Sequence, residues 1–343
     1  MISFESDYNN GCHPKVLQHL VETNSETSAS YGDDVWSASA REKITSACDS
    51  PQADVFFLVG GTQTTATVIS ALLAPYEGVV AVDTAHINVH ESGAIEGTGH
   101  KVLALPNHGG KMEPDELDAL LAAFHADPNR DHMVWPGMVY LTFPTELGTL
   151  YTAHDIERIH ATCRRYDIPL YVDGARLGYG LMAEDCDFDL PWLARHCDAF
   201  YIGGTKMGAL CGEAVVFPRG NAPAHFFTHV KRQGALLAKS RLAGVQFDAL
   251  FTDGLYFDIA RHALNMAARL RQLFLDRGYT MTPSTTNQQF VFLSDEQVAR
   301  IAQHVAFELW ERPAQGPALY RFVTSWATTD AHLAALATAL ESV

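Results

Sequence analysis

The sequence predicts an α/β protein, in which a large domain built on a mostly parallel sheet precedes a smaller α+β C-terminal domain. Short apolar runs alternate with stretches of helical period from about residue 50 to residue 217. Runs that are apolar throughout are typical of strands buried on both faces of a parallel sheet. After Gly244 the alternation gives way to longer helical stretches. With 343 residues, the chain is also longer than one ordinary domain.

The large domain is expected to contain short, apolar strands separated by helices. The expected strands span residues 55–59, 78–82, 102–105, 138–143, 170–172, 199–202 and 214–217. Stretches of helical period lie between several of them, notably at residues 113–124 and 153–166. Helices that alternate with parallel strands pack on the faces of the sheet, so we expect a sheet that helices cover.

The C-terminal domain is expected to begin with one long helix over residues 247–278. The elements expected after it are a strand at 290–293, a helix at 295–309, a strand at 319–324 and a helix at 330–341. The predicted division of the chain is an N-terminal arm at 1–14, a large domain at 15–246 and a small domain at 247–343. No internal repeat or low-complexity segment interrupts this division.

The charge of the chain argues against nucleic acid as a partner. The net charge is −16 at pH 7 and the isoelectric point is about 5.3, so the chain as a whole would repel a phosphate backbone. An anionic ligand therefore needs a local cluster of arginines or backbone amides. A content of 47% hydrophobic and 19% charged residues is typical of a globular chain and not of a disordered one.

The cysteines and the apolar segments predict a cytoplasmic protein without a membrane span. The six cysteines form no C-x-x-C pair and no zinc-ribbon spacing, so we expect reduced thiols. The N-terminus shows no basic region followed by an apolar run, so no secretory signal is expected. Residues 55–76 carry no formal charge, but their centre includes Gly60, Gly61 and Thr62 and is too polar for lipid.

Several familiar catalytic motifs are missing or incomplete. No expected strand is followed by G-x-G-x-x-G, no serine lies in G-x-S-x-G, and no G-x-x-x-x-G-K phosphate loop occurs. His86 and His90 have the spacing of two zinc ligands on a helix, but the glutamate, Glu91, follows the second histidine and not the first. We therefore expect no metal site.

Polar residues follow three of the expected strands at their carboxyl ends, where ligands of open α/β sheets bind. The strand at 170–172 is followed by Asp173 and Arg176, and the strand at 199–202 is followed by two glycines, Thr205 and Lys206. The strand at 55–59 ends in two glycines and opens a helix, which is a place for a phosphate. Pyridoxal phosphate (PLP) needs a Schiff-base lysine, a carboxylate beside its pyridine nitrogen and a phosphate cradle. Taken together, the three strand ends predict a PLP site.

The order of these motifs resembles the fold-type-I PLP enzymes, and specifically the threonine aldolase family with its phenylserine aldolase branch. The matching stretches are Ser6-Asp7, Tyr31-Gly32-Asp33-Asp34, Gly61-Thr62, His86-Ile87-x-x-x-Glu91, Pro144-Thr145-Glu146-Leu147-Gly148-Thr149, Asp173-Gly174-Ala175-Arg176, Gly203-Gly204-Thr205-Lys206, Gly212-Glu213-Ala214 and Arg321-Phe322-Val323-Thr324-Ser325. They cover nearly the whole chain in the right order. The resemblance implies the fold-type-I PLP-dependent transferase fold.

The resemblance also implies the residues that hold the cofactor. Lys206 would be the Schiff-base lysine, and Asp173 would be the partner of the pyridinium nitrogen. His86 would stack on the cofactor ring, close to the β-hydroxyl of the substrate. The remaining cofactor-binding residues implied are Gly61, Thr62, Arg176, Arg232 and Arg241, of which Arg232 and Arg241 would support the phosphate from a neighbouring subunit.

The substrate side of the site is implied in the same way. Ser6, Arg176 and Arg321 would grip the carboxylate of the amino acid, since guanidinium groups pair bidentately with carboxylates. His132 would match a second family histidine near the substrate. The chain follows the Pro144-Thr145-Glu146 version of a segment that varies between subgroups, so its side-chain pocket would differ from that of the threonine-cleaving branch.

The implied function is an aldolase that converts L-threonine, L-allo-threonine or phenylserine-type amino acids to glycine and an aldehyde. One alternative is a PLP-dependent β-eliminating lyase acting on an aromatic or sulfur amino acid, and another is a non-catalytic protein with the same fold. We expect a homodimer or homotetramer with shared active sites, because Ser6, Arg232 and Arg241 lie far along the chain from the strand ends. Subunit symmetry would then create equivalent sites across one interface.

Overall fold

The computed structural model describes residues 2–341, which form a large sheet with helices on it and a smaller sheet near the C-terminus. The strands β1 to β12 are Ile2–Ser3, Asp54–Leu58, Glu77–Val82, Val102–Leu105, Trp135–Thr142, Leu170–Asp173, Ala199–Gly203, Glu213–Phe217, Gln288–Leu293, Val305–Ala306, Glu308–Glu311 and Ala318–Val323. The helices α1 to α13 are Pro14–Thr23, Val35–Ala47, Gly61–Leu72, His86–Val89, Pro114–Ala126, Ala153–Arg165, Leu177–Leu181, Leu190–Arg195, Phe226–Arg232, Arg241–Leu250, Leu255–Leu275, Asp295–Ile301 and Asp330–Glu341.

The large sheet has seven strands in the order β2-β8-β7-β6-β5-β3-β4. Strands β4, β3, β5, β6 and β7 pair in parallel, whereas β8 is antiparallel to both of its neighbours. All seven strands expected for the large domain are confirmed, and their ends differ from the expected ones by three residues or fewer. The predicted α/β class with a mostly parallel sheet is therefore confirmed.

The molecule contains two hydrophobic cores. The larger core lies on the seven-stranded sheet, and the smaller one lies under the three-stranded sheet β11-β12-β9. Helix α11 contributes to both, with Ile259 and Ala263 in the larger core and Leu270 and Phe274 in the smaller one. One long helix therefore ties the two units together. The predicted boundary between residues 246 and 247 lies inside α10.

The single helix expected over residues 247–278 is wrong. Helix α10 ends at Leu250 and α11 begins at Leu255. Between them, Asp253 and Gly254 both have positive φ, at 51° and 72°. Two consecutive left-handed residues turn the chain out of a right-handed helix, so the helical pattern is divided in two.

The helix expected over residues 295–309 is wrong in its second half. It starts as expected, with a capping box between Ser294 and Gln297, but it ends at Ile301. Val305 then pairs with Ile2 in a short parallel ladder. The next segment, β11, pairs with β12 as an edge strand. Pairing with distant strands thus prevails over the local helical pattern.

The N-terminal arm folds against the small unit of the same chain. The amide of Phe4 donates to the carbonyl of Ala306 at 2.8 Å, and the amide of Val323 donates to the carbonyl of Phe4 at 2.7 Å. The Phe4 side chain is fully buried in the smaller core. The arm then continues through Asp7 towards the large sheet.

No helix within residues 2–341 has the length and apolar character that crossing a bilayer requires.

Candidate active site

A cavity of about 330 Å³ opens at the carboxyl ends of the parallel strands, a size within the usual range for small-molecule sites. Six of the residues predicted for the site line it: Gly61, Thr62, His86, Asp173, Arg176 and Lys206. Each of them follows or ends a strand of the large sheet, except His86, which opens the short helix α4 just after β3. The parallel order of the strands brings these distant segments together.

Lys206 reaches the cavity from the turn that follows β7. Glu213 holds this turn, because its carboxylate accepts hydrogen bonds from the Gly204 amide at 2.9 Å and the Thr205 hydroxyl at 2.8 Å. Burial, helped by the positive charge of Arg176, lowers the pKa of Lys206 to about 8. Burial raises the pKa of Glu213 to about 7. A lysine in this state is more often neutral at physiological pH than an exposed one, and a neutral amine is a nucleophile.

Asp173 ends β6 and presents its carboxylate to the same cavity. Oδ1 accepts a hydrogen bond from the Ala175 amide at 2.9 Å, and Oδ2 accepts one from the Tyr140 hydroxyl at 2.6 Å. Burial raises the pKa of Tyr140 well above its usual value, so this hydroxyl stays a donor. The carboxylate is thereby fixed in place and kept able to accept from a cationic ring.

Two glycines allow the loops after β6 and β7 to touch. A Cβ on Gly174 would lie 2.1 Å from the Tyr201 carbonyl oxygen, and one on Gly203 would lie 2.2 Å from the Ala175 carbonyl oxygen. The Gly203 amide donates to the Gly174 carbonyl at 2.9 Å. Any larger residue at either position would push apart the loops that carry Asp173 and Lys206.

The first turn of α3 forms one end of the cavity. Its N-cap residue, Gly60, provides no side-chain cap, and the first amides of a helix have no intrahelical partner. Gly61 and Thr62 line the cavity at this point. The buried hydroxyl of Thr64 has no hydrogen-bond partner within residues 2–341. Free amides and the positive end of the helix dipole together suit a phosphate.

His86 is oriented by two buried carboxyl groups. Its Nδ1 lies 2.8 Å from Oε1 of Glu91, and its backbone amide donates to Oε1 of Glu146 at 2.8 Å. Burial raises the pKa of Glu146, which also accepts from the Thr142 hydroxyl at 2.7 Å. The Glu91 carboxylate favours the tautomer with hydrogen on Nδ1, which leaves Nε2 to accept a proton.

Arg176 is held by Asp7, a residue for which no role was predicted. Nε and Nη2 of Arg176 donate to the two carboxylate oxygens of Asp7 at 2.8 and 3.0 Å. Burial alone would raise the pKa of Asp7, but the charges of Arg176 and Lys206 lower it. The matching stretch Ser6-Asp7 contained the signal for this contact, while the substrate role of Ser6 stays a prediction. The Ser6 hydroxyl instead donates to Asn9 at 2.7 Å, and Ser6 does not line the cavity.

Arg321 is buried and is not among the residues that line the cavity. Its Nη1 donates to Oε1 of Gln288 at 2.9 Å, and its Nη2 pairs with Glu308. Its guanidinium carbon lies 4.9 Å from the centroid of the Trp310 ring. The buried Nε of Arg321 has no partner among the described residues. The predicted contact of Arg321 with the substrate stays a prediction, and its Nε is a donor for which a ligand could provide the acceptor.

Besides Ser6 and Arg321, three further predicted site residues do not line the cavity within one chain. His132 is exposed and precedes β5, at the edge of the sheet opposite the cavity, because the cavity lies at the other end of that strand. Arg232 is exposed at the end of α9. Arg241 donates to the carbonyls of Glu26 and Thr23 at 2.6 and 2.7 Å. The direction of β5 can be inferred from the sequence, and it places His132 at the end of the strand away from the cavity of its own chain.

The donor groups of the site include no metal cluster. No group of three or more histidine, cysteine, aspartate or glutamate residues suited to a metal ion occurs within residues 2–341. All six cysteines are free thiols. The arrangement can bind an anion at α3, a ring cation at Asp173 and a carbonyl compound at Lys206.

Comparison with known proteins identifies the family. The sequence model of the β-eliminating lyases matches residues 4–296. A low specificity L-threonine aldolase of Pseudomonas aeruginosa is 30% identical, over 95% of this chain and 93% of its own. One from Pseudomonas sp. (strain NCIMB 10558) is 29% identical, over 99% and 97%.

Solved structures agree with the sequence relatives. The threonine aldolase of Leishmania major superposes with a TM-score of 0.96 at 36% identity, and the match covers 100% of this chain and 99% of that one. A putative L-allo-threonine aldolase of Listeria monocytogenes, with a TM-score of 0.76 at 18% identity over 99% and 96% of the chains, shares the fold. The fold-type-I fold and the recognition expected from the motifs are confirmed, and the chain belongs to the β-eliminating lyase family and, within it, to the threonine aldolases.

Proposed function

We propose that this chain is a PLP-dependent aldehyde-lyase that cleaves L-threonine, L-allo-threonine or phenylserine-type amino acids to glycine and an aldehyde. The observation that carries the proposal is the meeting of Lys206, Asp173 and His86 in one cavity. The names of the curated relatives support the same reaction. Neither the cavity nor the relatives contain a feature that favours a non-catalytic role.

The residues present fit PLP. The amine of Lys206 would attach its aldehyde, Asp173 would meet its ring nitrogen, and the first turn of α3 would hold its phosphate. At that turn no side chain caps α3, and Gly60, Gly61 and Thr62 line the cavity, so the unpaired amides of the turn are available to an anion. When bound, PLP supplies an electron sink next to the substrate's Cα.

His86 is the base in this proposal. Its Nε2 takes up the proton of the substrate's β-hydroxyl as the bond between Cα and Cβ breaks, and the β-carbon leaves as the aldehyde. The proton that His86 gains balances the one that glycine gains at Cα. Glu91 stabilises the cationic imidazole, since its carboxylate accepts from Nδ1. General-base help of this kind is typically worth about 10²- to 10⁴-fold in rate.

Arg176 and Arg321 bind the substrate's carboxylate. Within the described residues, Nη1 of Arg176 has no protein partner, because Asp7 occupies only Nε and Nη2. Asp7 acts as a positioning residue that fixes the direction of that free nitrogen. Ser6, in contrast, has its hydroxyl turned to Asn9, so Asp7 takes its place in the proposal.

The assembly is a homodimer or homotetramer that shares its active sites. Arg232 and Arg241 lie outside the cavity of their own chain, which fits a role at the phosphate of a neighbouring subunit. His132 would contact substrate only if a neighbouring subunit brought it there. The free thiols support a cytoplasmic location.

Product analysis tests the reaction. The PLP-saturated protein is incubated with threonine, allo-threonine, phenylserine and serine, and glycine, aldehydes, pyruvate and ammonia are measured. We expect glycine and an aldehyde in equal amounts. Pyruvate and ammonia would point to the alternative, a β-eliminating lyase of an aromatic or sulfur amino acid, which the name of the matching family model favours. Borohydride reduction and peptide mapping should place the pyridoxyl group on Lys206, and a label on another lysine would contradict the site.

A further inference from the structure

A row of aromatic rings leads from the cavity to the edge of the small sheet. The ring of His86 lies 5.5 Å from that of His90, measured between centroids. The ring of His90 lies 5.9 Å from the centroid of Trp310. Phe290 packs edge-on against Trp310 at 5.3 Å. The catalytic roles proposed above use only His86 of this row.

Trp310 is placed by an irregularity in β11. Leu309 lies opposite Tyr320 and Glu311 lies opposite Leu319, so Trp310 is an extra residue between two successive pairs. An extra residue of this kind forms a β-bulge, which redirects a side chain and is frequent next to active sites. Leu309 is 45% exposed, whereas Trp310 is partly buried against Phe290.

Trp310 lies between two groups that the proposed function places at the substrate. On one side its ring covers Arg321, which is proposed to bind the carboxylate. On the other side it contacts His90, which in turn contacts His86, the proposed base at the β-hydroxyl. The rings of His90 and Trp310 lie beyond the residues that line the cavity, between His86 and Arg321. A β-substituent that extends out of the cavity from the proposed base towards Arg321 would meet these rings.

We propose that Trp310, with His90 beside it, is the wall against which the substrate's β-substituent packs, so that the site favours an aryl group over the methyl group of threonine. This proposal rests on the aldolase function proposed above. An aromatic substituent gains edge-to-face or stacked contact with such rings, in addition to its larger buried area. A methyl group leaves most of the wall in contact with water.

The ratio of kcat/KM for phenylserine to kcat/KM for threonine measures this preference in the PLP-saturated enzyme. We expect Trp310→Ala and Trp310→Gln to lower the ratio about tenfold, the scale of a lost apolar pocket contact. Trp310→Phe should keep it within about twofold. Leu309→Ala, on the same strand but exposed, is the matched control and should change neither activity. A fall of less than about threefold in both the alanine and the glutamine variants overturns the proposal.

The remaining outcomes also separate the possibilities. The ratio could fall as far in Trp310→Phe as in Trp310→Ala, or as far in the control Leu309→Ala. Either result would mean that the aromatic ring of residue 310 does not form the wall, and would overturn the proposal. A direct effect of Trp310 on Arg321 alone would lower both activities equally and leave the ratio unchanged, which also overturns the proposal.

Binding provides a measurement without turnover. Phenylalanine and alanine lack the β-hydroxyl and so cannot undergo the aldol cleavage, and their affinities are compared by isothermal titration calorimetry. We expect the preference for phenylalanine to fall about tenfold in Trp310→Ala and to persist in Trp310→Phe. If this binding result is obtained but the enzyme cleaves none of the substrates, the wall is supported and the proposed reaction is refuted. If the wild-type enzyme and Trp310→Ala prefer phenylalanine over alanine to the same degree, and cleavage is normal, only the wall is refuted.

Discussion

Replacing Asp7 with asparagine tests the contact that joins the arm, the large unit and the small unit. Asp7 is almost fully buried, and its carboxylate accepts two hydrogen bonds from Arg176. It also accepts one from Asn287 at 2.9 Å. All three groups around the carboxylate are donors. An asparagine there would keep the shape but lose the charge and one acceptor.

The expected cost follows from these contacts. If the new amide nitrogen faces Nη2 of Arg176, that donor loses its acceptor. If it faces Nε, both Nε and the Asn287 amide lose theirs. In either case the buried guanidinium is left without a counter-charge, and breaking such a pair costs about 3–5 kcal/mol. An unfolding entropy of about 2.1 cal/mol/K per residue then predicts a melting temperature lower by about 4–7 °C.

Thermal unfolding of the PLP-saturated protein, followed by circular dichroism, measures the shift. Glu341→Gln is the control, because it removes a carboxylate from an exposed ion pair with Arg277 and should cost about 1 kcal/mol or less. The charges of Arg176 and Lys206 hold the folded-state pKa of Asp7 below its usual value. The stabilisation is therefore present above the unfolded pKa and is lost as the pH falls through the folded one. The difference between wild type and variant should shrink below about pH 4. A shift equal to that of the control at pH 7 would refute the reasoning.

Three further predictions concern catalysis and assembly. Asp173→Asn should leave PLP bound, seen by its absorbance, but lower kcat by about 10²-fold or more, because an amide is a poor partner for a cationic ring; near-normal turnover would contradict this role. Glu91→Gln should lower kcat by about 10- to 100-fold with KM little changed, since His86 loses the carboxylate that orients it, whereas the exposed Glu96→Gln should behave as wild type. Mixing Lys206→Ala with Arg241→Ala subunits should restore some activity if sites are shared, and no recovery despite proven subunit exchange would mean that each site is built from one chain.

The strands of the large domain and the core of the site could be predicted from the sequence because their signals are local. Apolar runs of strand length mark β6 and β7, and the polar residues directly after them are Asp173 and Lys206. A parallel sheet then brings such strand ends to one edge, whatever the lengths of the helices between them. The resemblance to a family added the roles but not the geometry.

Other features depend on contacts between distant segments, and local patterns did not reveal them. Asp7 and Ser6 are neighbours in sequence, and only the meeting of the arm with Arg176 and Asn287 decides that the aspartate faces inward. The end of α12 was missed because the chain after it pairs with β1 and β12.

The sequence by itself therefore determined the class of fold, the order of the strands along the chain and the strand ends that carry Lys206 and Asp173. The tertiary structure alone decided which side chains hold these groups and which residues stand around the substrate. The physical reason is that burial and strand pairing bring together residues that are far apart in the sequence. Glu213 supports the turn that carries Lys206, although the two residues belong to different segments around that turn. The bulge that presents Trp310 exists only because the pairing of β11 with β12 contains a register shift.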